Sequence, residues 1–198
     1  MNDEQWLAFL LKPENLPCAL EIGSNYIPIK HAVLGDLFAR IESGLNKHLK
    51  AKSAADTWLA YRDKASDDWP AVYTWPKNHP DDCPGVYVRL ERGAYQKQSR
   101  MVLGAGTITG RTQLDPKSVQ PLIKAMEERD FSITQQSWVR RRWLEYYPED
   151  HDFCVDAMSS NQIEKDLVAA ITDTFDAFRE SMELVNQRER TRFRAAKK

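Results

Sequence analysis

The chain has 198 residues, 42% of them hydrophobic and 29% charged, and a formal net charge of -1. Such a composition suits one globular core and excludes a long disordered, collagen-like or low-complexity protein. Near-neutrality also excludes a global field that would draw the chain to nucleic acid, so any such binding must come from local clustering.

No uncharged apolar run exceeds about six residues (Trp6 to Leu11), against the roughly 20 needed to cross a bilayer, so no membrane span is expected. Asn2, Asp3 and Glu4 open the chain where a secretory signal would carry basic residues. Cys18, Cys83 and Cys154 form an odd, widely spaced set, which predicts free thiols and a cytoplasmic location.

In chain order, Asp3 can cap a short helix carrying Trp6, Leu7, Phe9, Leu10 and Leu11, stopped by Pro13. Two short extended pieces, Cys18 to Ile22 and Tyr26 to Ile29, flank a Gly23-Ser24-Asn25 turn and predict a small hairpin. From His31 to about Lys50, Val33, Leu34, Leu37, Phe38, Ile41 and Leu45 recur at helical spacing. A second helical stretch is expected from Ala54 to Lys64. Beyond it lies a proline- and acid-rich segment that holds one short strand, Ala71 to Trp75.

The middle of the chain alternates. Val86, Val88 and Leu90 point one way, and Tyr87, Arg89 and Glu91 the other, as a strand covered on one face requires. A basic loop leads to a second strand at 101–108, and a helix from about Ser118 to Arg129 follows, with Pro121 in its first turn. A strand at 137–147, reached by a right-handed crossover, is expected to run parallel to 101–108 and antiparallel to 86–91. A long amphipathic helix occupies about 160–187, with Ile163, Leu167, Ile171, Phe175, Phe178, Met182 and Val185 on one stripe.

These elements predict an α+β fold: a central, mostly antiparallel sheet flanked by helices, with strands near 71–75, 86–91, 101–108 and 137–147. Residues 1–187 form a single domain in this reading, and 188–198 a basic tail with six basic residues against one acid. From about Met182 the long helix is expected to project past the domain toward a partner.

Two constellations could carry chemistry. The first pairs two loops, one with His79, Asp81, Asp82 and Cys83, the other with Glu149, Asp150, His151, Asp152 and Cys154. The expected topology brings them to one sheet edge. Two histidines and two cysteines can hold zinc, and the carboxylates can hold magnesium or manganese, although solvated surface turns have the same composition. The second is basic and aromatic: Trp138, Arg140, Arg141, Arg142 and Trp143, with Arg89, Arg92, Lys97 and Arg100 on the neighbouring hairpin. Arginine pairs with phosphate and stacks on bases, and aromatic rings on a sheet give bases a platform. Pairing of the arginines with Glu91 and Glu145, with the tryptophans in the core, is the structural alternative.

Several enzyme patterns are not met. A phosphate-binding P-loop around Gly104, Gly106, Gly110, Arg111 and Thr112 would need glycine at Ala105 and lysine at Arg111. A restriction-type nuclease pattern would use Pro80-Asp81 and Glu91, but Gly93 stands where its lysine belongs. There is no Gly-x-Ser-x-Gly elbow. The leading expectation is a non-enzymatic protein presenting an Arg/aromatic sheet face to nucleic acid or a nucleoprotein partner. The alternatives are a metal-dependent phosphodiester hydrolase using Asp81, Asp82, Glu91 and the 149–152 acids, and an adaptor or homodimer built on the C-terminal helix.

Overall fold

The computed structural model describes residues 5, 9, 11, 12, 14–63, 70–80, 82–95, 98–108, 113–135, 137–148 and 150–196. Most of the short N-terminal helix expected before Pro13, together with Asp81, Lys97, Glu149 and 109–112, lies outside these residues. Six strands form one sheet: β1 (Trp58–Asp63), β2 (Ala71–Pro76), β3 (Gly85–Tyr95), β4 (Gln98–Ile108), β5 (Ile133–Gln135) and β6 (Trp138–Trp143). Their spatial order is β1-β2-β3-β4-β6-β5, and every neighbouring pair is antiparallel. Among the described residues four helices accompany it: α1 (Leu16–Ala51), α2 (Pro116–Glu127), α3 (His151–Ser159) and α4 (Gln162–Ala196). This is the predicted α+β architecture, and its long C-terminal helix runs on to Ala196.

The described helices pack on one face of the sheet. Val86, Val88 and Leu90 of β3 face the helices and are fully buried, as are Met101 and Leu103 of β4. Along α4 the stripe Ile163, Leu167, Ile171, Phe175, Phe178, Met182 and Val185 is buried throughout. A large apolar side chain withdrawn from water contributes about 1.5–3 kcal/mol, so this stripe anchors the fold. Trp58 of β1 meets Phe175 edge-on at 5.3 Å and donates its indole N–H to Glu183 at 3.0 Å. The two long helices are tied together by Arg40 with Glu164 at 2.8 Å and by His48 with Asp176 at 3.0 Å.

Five expectations are corrected. The 18–29 hairpin is helix, the first half of α1, which starts with proline in its first turn. There the turn signal of Gly23-Ser24-Asn25 yields to continuity with the stripe that begins at Leu34. The helix expected at 54–64 is strand β1, in which Trp58 and Ala60 turn inward while Leu59 and Tyr61 turn outward. Short apolar runs fit both periods, and pairing with β2 decides this one. Helix α2 starts at Pro116, capped by Asp115, whose carboxylate accepts from the Lys117 N–H at 3.0 Å; Pro121 therefore falls past the first turn.

The fourth correction is topological. Strand β6 runs antiparallel to β4, because the three-residue β5 reverses the chain between α2 and β6. After Trp143 the chain leaves regular strand, but it stays beside Met101 through Leu144 N–H to Met101 C=O and Met101 N–H to Tyr146 C=O, both 2.9 Å.

Helix α4 does not leave the domain at Met182. Asn186 and Glu189 are buried at 2% and 0% exposure, so the helix stays docked seven residues beyond it. β2 and β3 pair only from Ala71↔Glu91 to Tyr73↔Arg89 and then part. Side chains complete the ladder from there. Val88 N–H donates to Thr74 Oγ1 at 3.0 Å, Val86 N–H donates to Asn186 Oδ1 at 2.7 Å, and Asn186 Nδ2 donates to Val86 C=O at 3.0 Å. Glu189 accepts from the Asp115 N–H at 3.1 Å and thereby ties α4 to the start of α2.

Candidate nucleic-acid interface on the open sheet face

Side chains alternate along a strand, so three consecutive arginines cannot share a face. Arg140 and Arg142 turn to the helix side. Arg140 pairs with Glu127 of α2 at 2.5 Å, and the Arg142 guanidinium lies 4.7 Å from the Phe131 ring centroid. Arg141 turns the other way, 4.7 Å from the Trp143 ring and 5.8 Å from Trp138. Trp138 reaches that same face, although it is three residues from Arg141, because a bulge at Ala105/Gly106 resets the phase of the β4–β6 pairing.

The cross-strand registers place Tyr61, Tyr73, Trp75, Tyr87, Arg89 and Glu91 on this face beside Trp138, Arg141 and Trp143. None of the described helices covers it. Tyr61 and Tyr73 stack at 6.0 Å, Tyr73 meets Tyr87 edge-on at 5.4 Å, and Trp75 lies 5.1 Å from Tyr87. The Arg89 guanidinium sits 5.5 Å from Tyr73 and 5.1 Å from Trp138. Tyr61 is half exposed at 50%, whereas Tyr73, Tyr87 and Trp138 are buried.

Glycines shape the face. A Cβ at Gly106 would lie 2.9 Å from the Tyr87 ring, and one at Gly93 would lie 2.9 Å from the Trp143 ring. At Gly104 it would meet backbone, 2.2 Å from Arg140 C=O. Gly104 and Gly106, two of the residues weighed above as a P-loop fragment, are thus strand positions that leave room for rings and for close strand approach.

Glu91 is ion-paired with Arg89. Burial pushes the Glu91 carboxyl upward while Arg89 and Arg141 oppose the rise, and burial lowers Arg141. Glu91 thus lies in the field of two guanidinium groups, a second carboxylate on this face, Asp63, accepts from the Tyr73 hydroxyl at 3.4 Å, and the Nε atoms of Arg89 and Arg141 are buried without a hydrogen-bond acceptor among the described residues. Burial also raises the Tyr73 and Tyr87 hydroxyls, so both remain neutral donors.

The remaining predicted residues divide. Arg92 donates from Nε to Ser99 Oγ at 2.9 Å on the helix side. Arg100 donates to Leu144 C=O at 2.8 Å, pairs with Glu145 and lies 5.3 Å from the Tyr147 ring. Lys97 lies outside the described residues. Of the nine positions expected to form one surface, Arg89, Trp138, Arg141 and Trp143 come together; Tyr61, Tyr73, Trp75 and Tyr87 join them. Their period-two spacing on β1, β2 and β3 was the signal that could have found them.

The two His/Cys loops do not converge. The first precedes Gly85, which pairs with Ile108; the second follows Trp143, which pairs with Val102 toward the opposite end of the sheet. At about 3.3 Å per residue, the seven residues from Gly85 to Arg92 separate the two ends by roughly 23 Å. Among the described residues no group of three or more His, Cys, Asp or Glu could hold a metal ion. His79 instead bonds through Nε2 to the Cys83 and Pro84 carbonyls at 3.0 and 3.2 Å, and Cys83 is buried. Asp82 is exposed, Asp150 precedes α3 at its N-cap, and His151 faces Asp152 at 3.4 Å on the surface. Cys154 donates its thiol to Pro148 C=O at 3.7 Å.

The exposed apolar side chains gather elsewhere, on the first half of α1, where Ile22, Tyr26, Ile27 and Ile29 are 46–62% exposed. Among the described residues no helix is long and apolar enough to cross a membrane. Comparisons with protein-family models, curated proteins and solved structures return no match.

Proposed function

We propose that this chain is a non-enzymatic binding protein that takes single-stranded nucleic acid on its open sheet face. The observation that supports this is the arrangement of Arg89 and Arg141, each laid against aromatic rings with Glu91 near both, on a face that none of the described helices covers. The exposed Tyr61 ring and the partly exposed Trp75 and Trp143 rings offer stacking worth about 1–3 kcal/mol per base, and the two guanidinium groups suit a phosphodiester. The flat, tolerant chemistry favours a single strand over a duplex groove.

Fluorescence anisotropy with a labelled mixed-sequence single-stranded oligonucleotide tests the reading. Tyr61→Ala and Arg141→Gln are each expected to weaken binding about tenfold, whereas Arg140→Gln and Arg142→Gln leave it within about twofold. Binding should also fall steeply with salt. Unchanged affinity in folded Tyr61→Ala and Arg141→Gln proteins overturns it.

A second reading, association between copies of the chain, moves from the C-terminal helix, whose stripe is consumed internally, to the exposed Ile22, Tyr26, Ile27 and Ile29 of α1. Sedimentation of the wild type against Ile22→Asp/Ile29→Asp would reveal it as a concentration-dependent dimer lost in the variant.

A further inference from the structure

At the end of the sheet where β1 begins and β2 finishes, a cleft of about 450 Å³ opens between those strands and α4. It lies on the helix side, away from the open face. One side of α4 supplies Arg179, Glu183, Asn186 and Arg190, spaced three or four residues apart along one helix face; the strand ends supply Asp56 and Lys77. A volume of this size is at the small end of the range of small-molecule sites.

The charges in the cleft do not cancel. Glu183 is committed, accepting from the Trp58 indole at 3.0 Å and from Arg179 Nε at 2.9 Å, contacts that hold its carboxyl below the usual range against the effect of burial. Asn186 is committed at both ends of its amide to Val86. Arg190 donates only from Nε, to Asn186 C=O at 3.2 Å, so its two terminal nitrogens meet no acceptor among the described residues. Lys77 spends one of its three donors on Ala55 C=O. Asp56, which has no partner among the described residues, is the one carboxylate left to oppose them.

We propose that this cleft is a binding site for a small oxyanion-bearing molecule, its phosphate or carboxylate group seated between the Arg190 guanidinium and the Lys77 ammonium. Both groups present several unused N–H donors, and a guanidinium fork matches either oxyanion. The inference is independent of the sheet-face reading, since no residue is shared between the two sites.

The experiment is titration calorimetry of the full chain with inorganic pyrophosphate and, separately, with citrate, against sodium chloride of equal ionic strength. One of the two is expected to bind, and which one tells phosphate from carboxylate chemistry. Arg190→Ala and Lys77→Ala should each weaken that binding about tenfold. Asp56→Asn, a change in an exposed turn, should strengthen it about threefold, a gain that a purely structural role would not produce. Tyr61→Ala on the open face should leave it unchanged. Heats from both probes no larger than those from chloride overturn the proposal. So does unaltered affinity in folded Lys77→Ala together with no gain in Asp56→Asn.

Discussion

The two faces of the sheet receive the same kinds of residue and use them in opposite ways. On the helix side, Arg140 and Arg142 are absorbed one by one, by a carboxylate of α2 and by the Phe131 ring, and the layer between strands and helices is apolar. On the open side, Arg89 and Arg141 are laid against rings, and of the two only Arg89 is ion-paired among the described residues, with Glu91. A guanidinium is therefore structural or available according to what the neighbouring element offers it, and composition alone cannot say which.

The contrast can be broken most severely from the helix side. Asn186→Ala leaves the Val86 N–H and C=O buried without partners, at about 1–3 kcal/mol each, and chemical denaturation should show the loss. Asn186→Asp is expected to recover only the half that accepts from the N–H. On the open side, Gly104→Ala forces a Cβ against Arg140 C=O, so β4 and β6 must separate, at a cost of about 3 kcal/mol. Gly106→Ala meets the Tyr87 ring, which can tilt, and should cost less than Gly104→Ala in the same denaturation series.

A subtler effect is the pH response of His79. Burial lowers its pKa and the nearby Arg190 adds to the fall, while the Cys83 and Pro84 carbonyls oppose it. The folded state thus prefers neutral imidazole. Its contribution is complete above the unfolded pKa of about 6.5 and is lost as pH falls through the lower folded value. The thermal midpoint of the wild type should therefore drop between pH 7 and pH 5 by more than that of His79→Gln. Equal slopes would remove His79 as the cause.

Much of the frame was legible. The period-two run of β3 and the seven-turn stripe of α4 each carry one strong pattern over many residues, and both stand as expected. What could not be read depends on partners distant in sequence. The orientation of β6 turns on β5, three residues that no periodicity can announce, and with that reversal went the supposed meeting of His79 and His151. The grouping of Trp138 with Arg141 needs a bulge in the opposing strand. Asn186 and Glu189 looked like part of a polar helix end; only the gap between β2 and β3 and the bare N–H of Asp115 explain why they are inside. In the first half of α1 and in β1 the local signals were short, and tertiary pairing outweighed them.

The embrace of the first long helix by the last one has a consequence for the order of assembly. Arg40 meets Glu164 and His48 meets Asp176 across separations of 124 and 128 residues. The meander β1-β2-β3-β4 can pair as it emerges, since its contacts are local, but the face that α4 covers has no lid until the 35 residues of that helix are made. During synthesis the apolar side of the sheet and the core stripe of α1 would wait exposed for a helix made after every strand it covers. Closing this core then falls to residues 162–196, and a nascent chain stalled before residue 162 would be a sticky, incomplete half-shell.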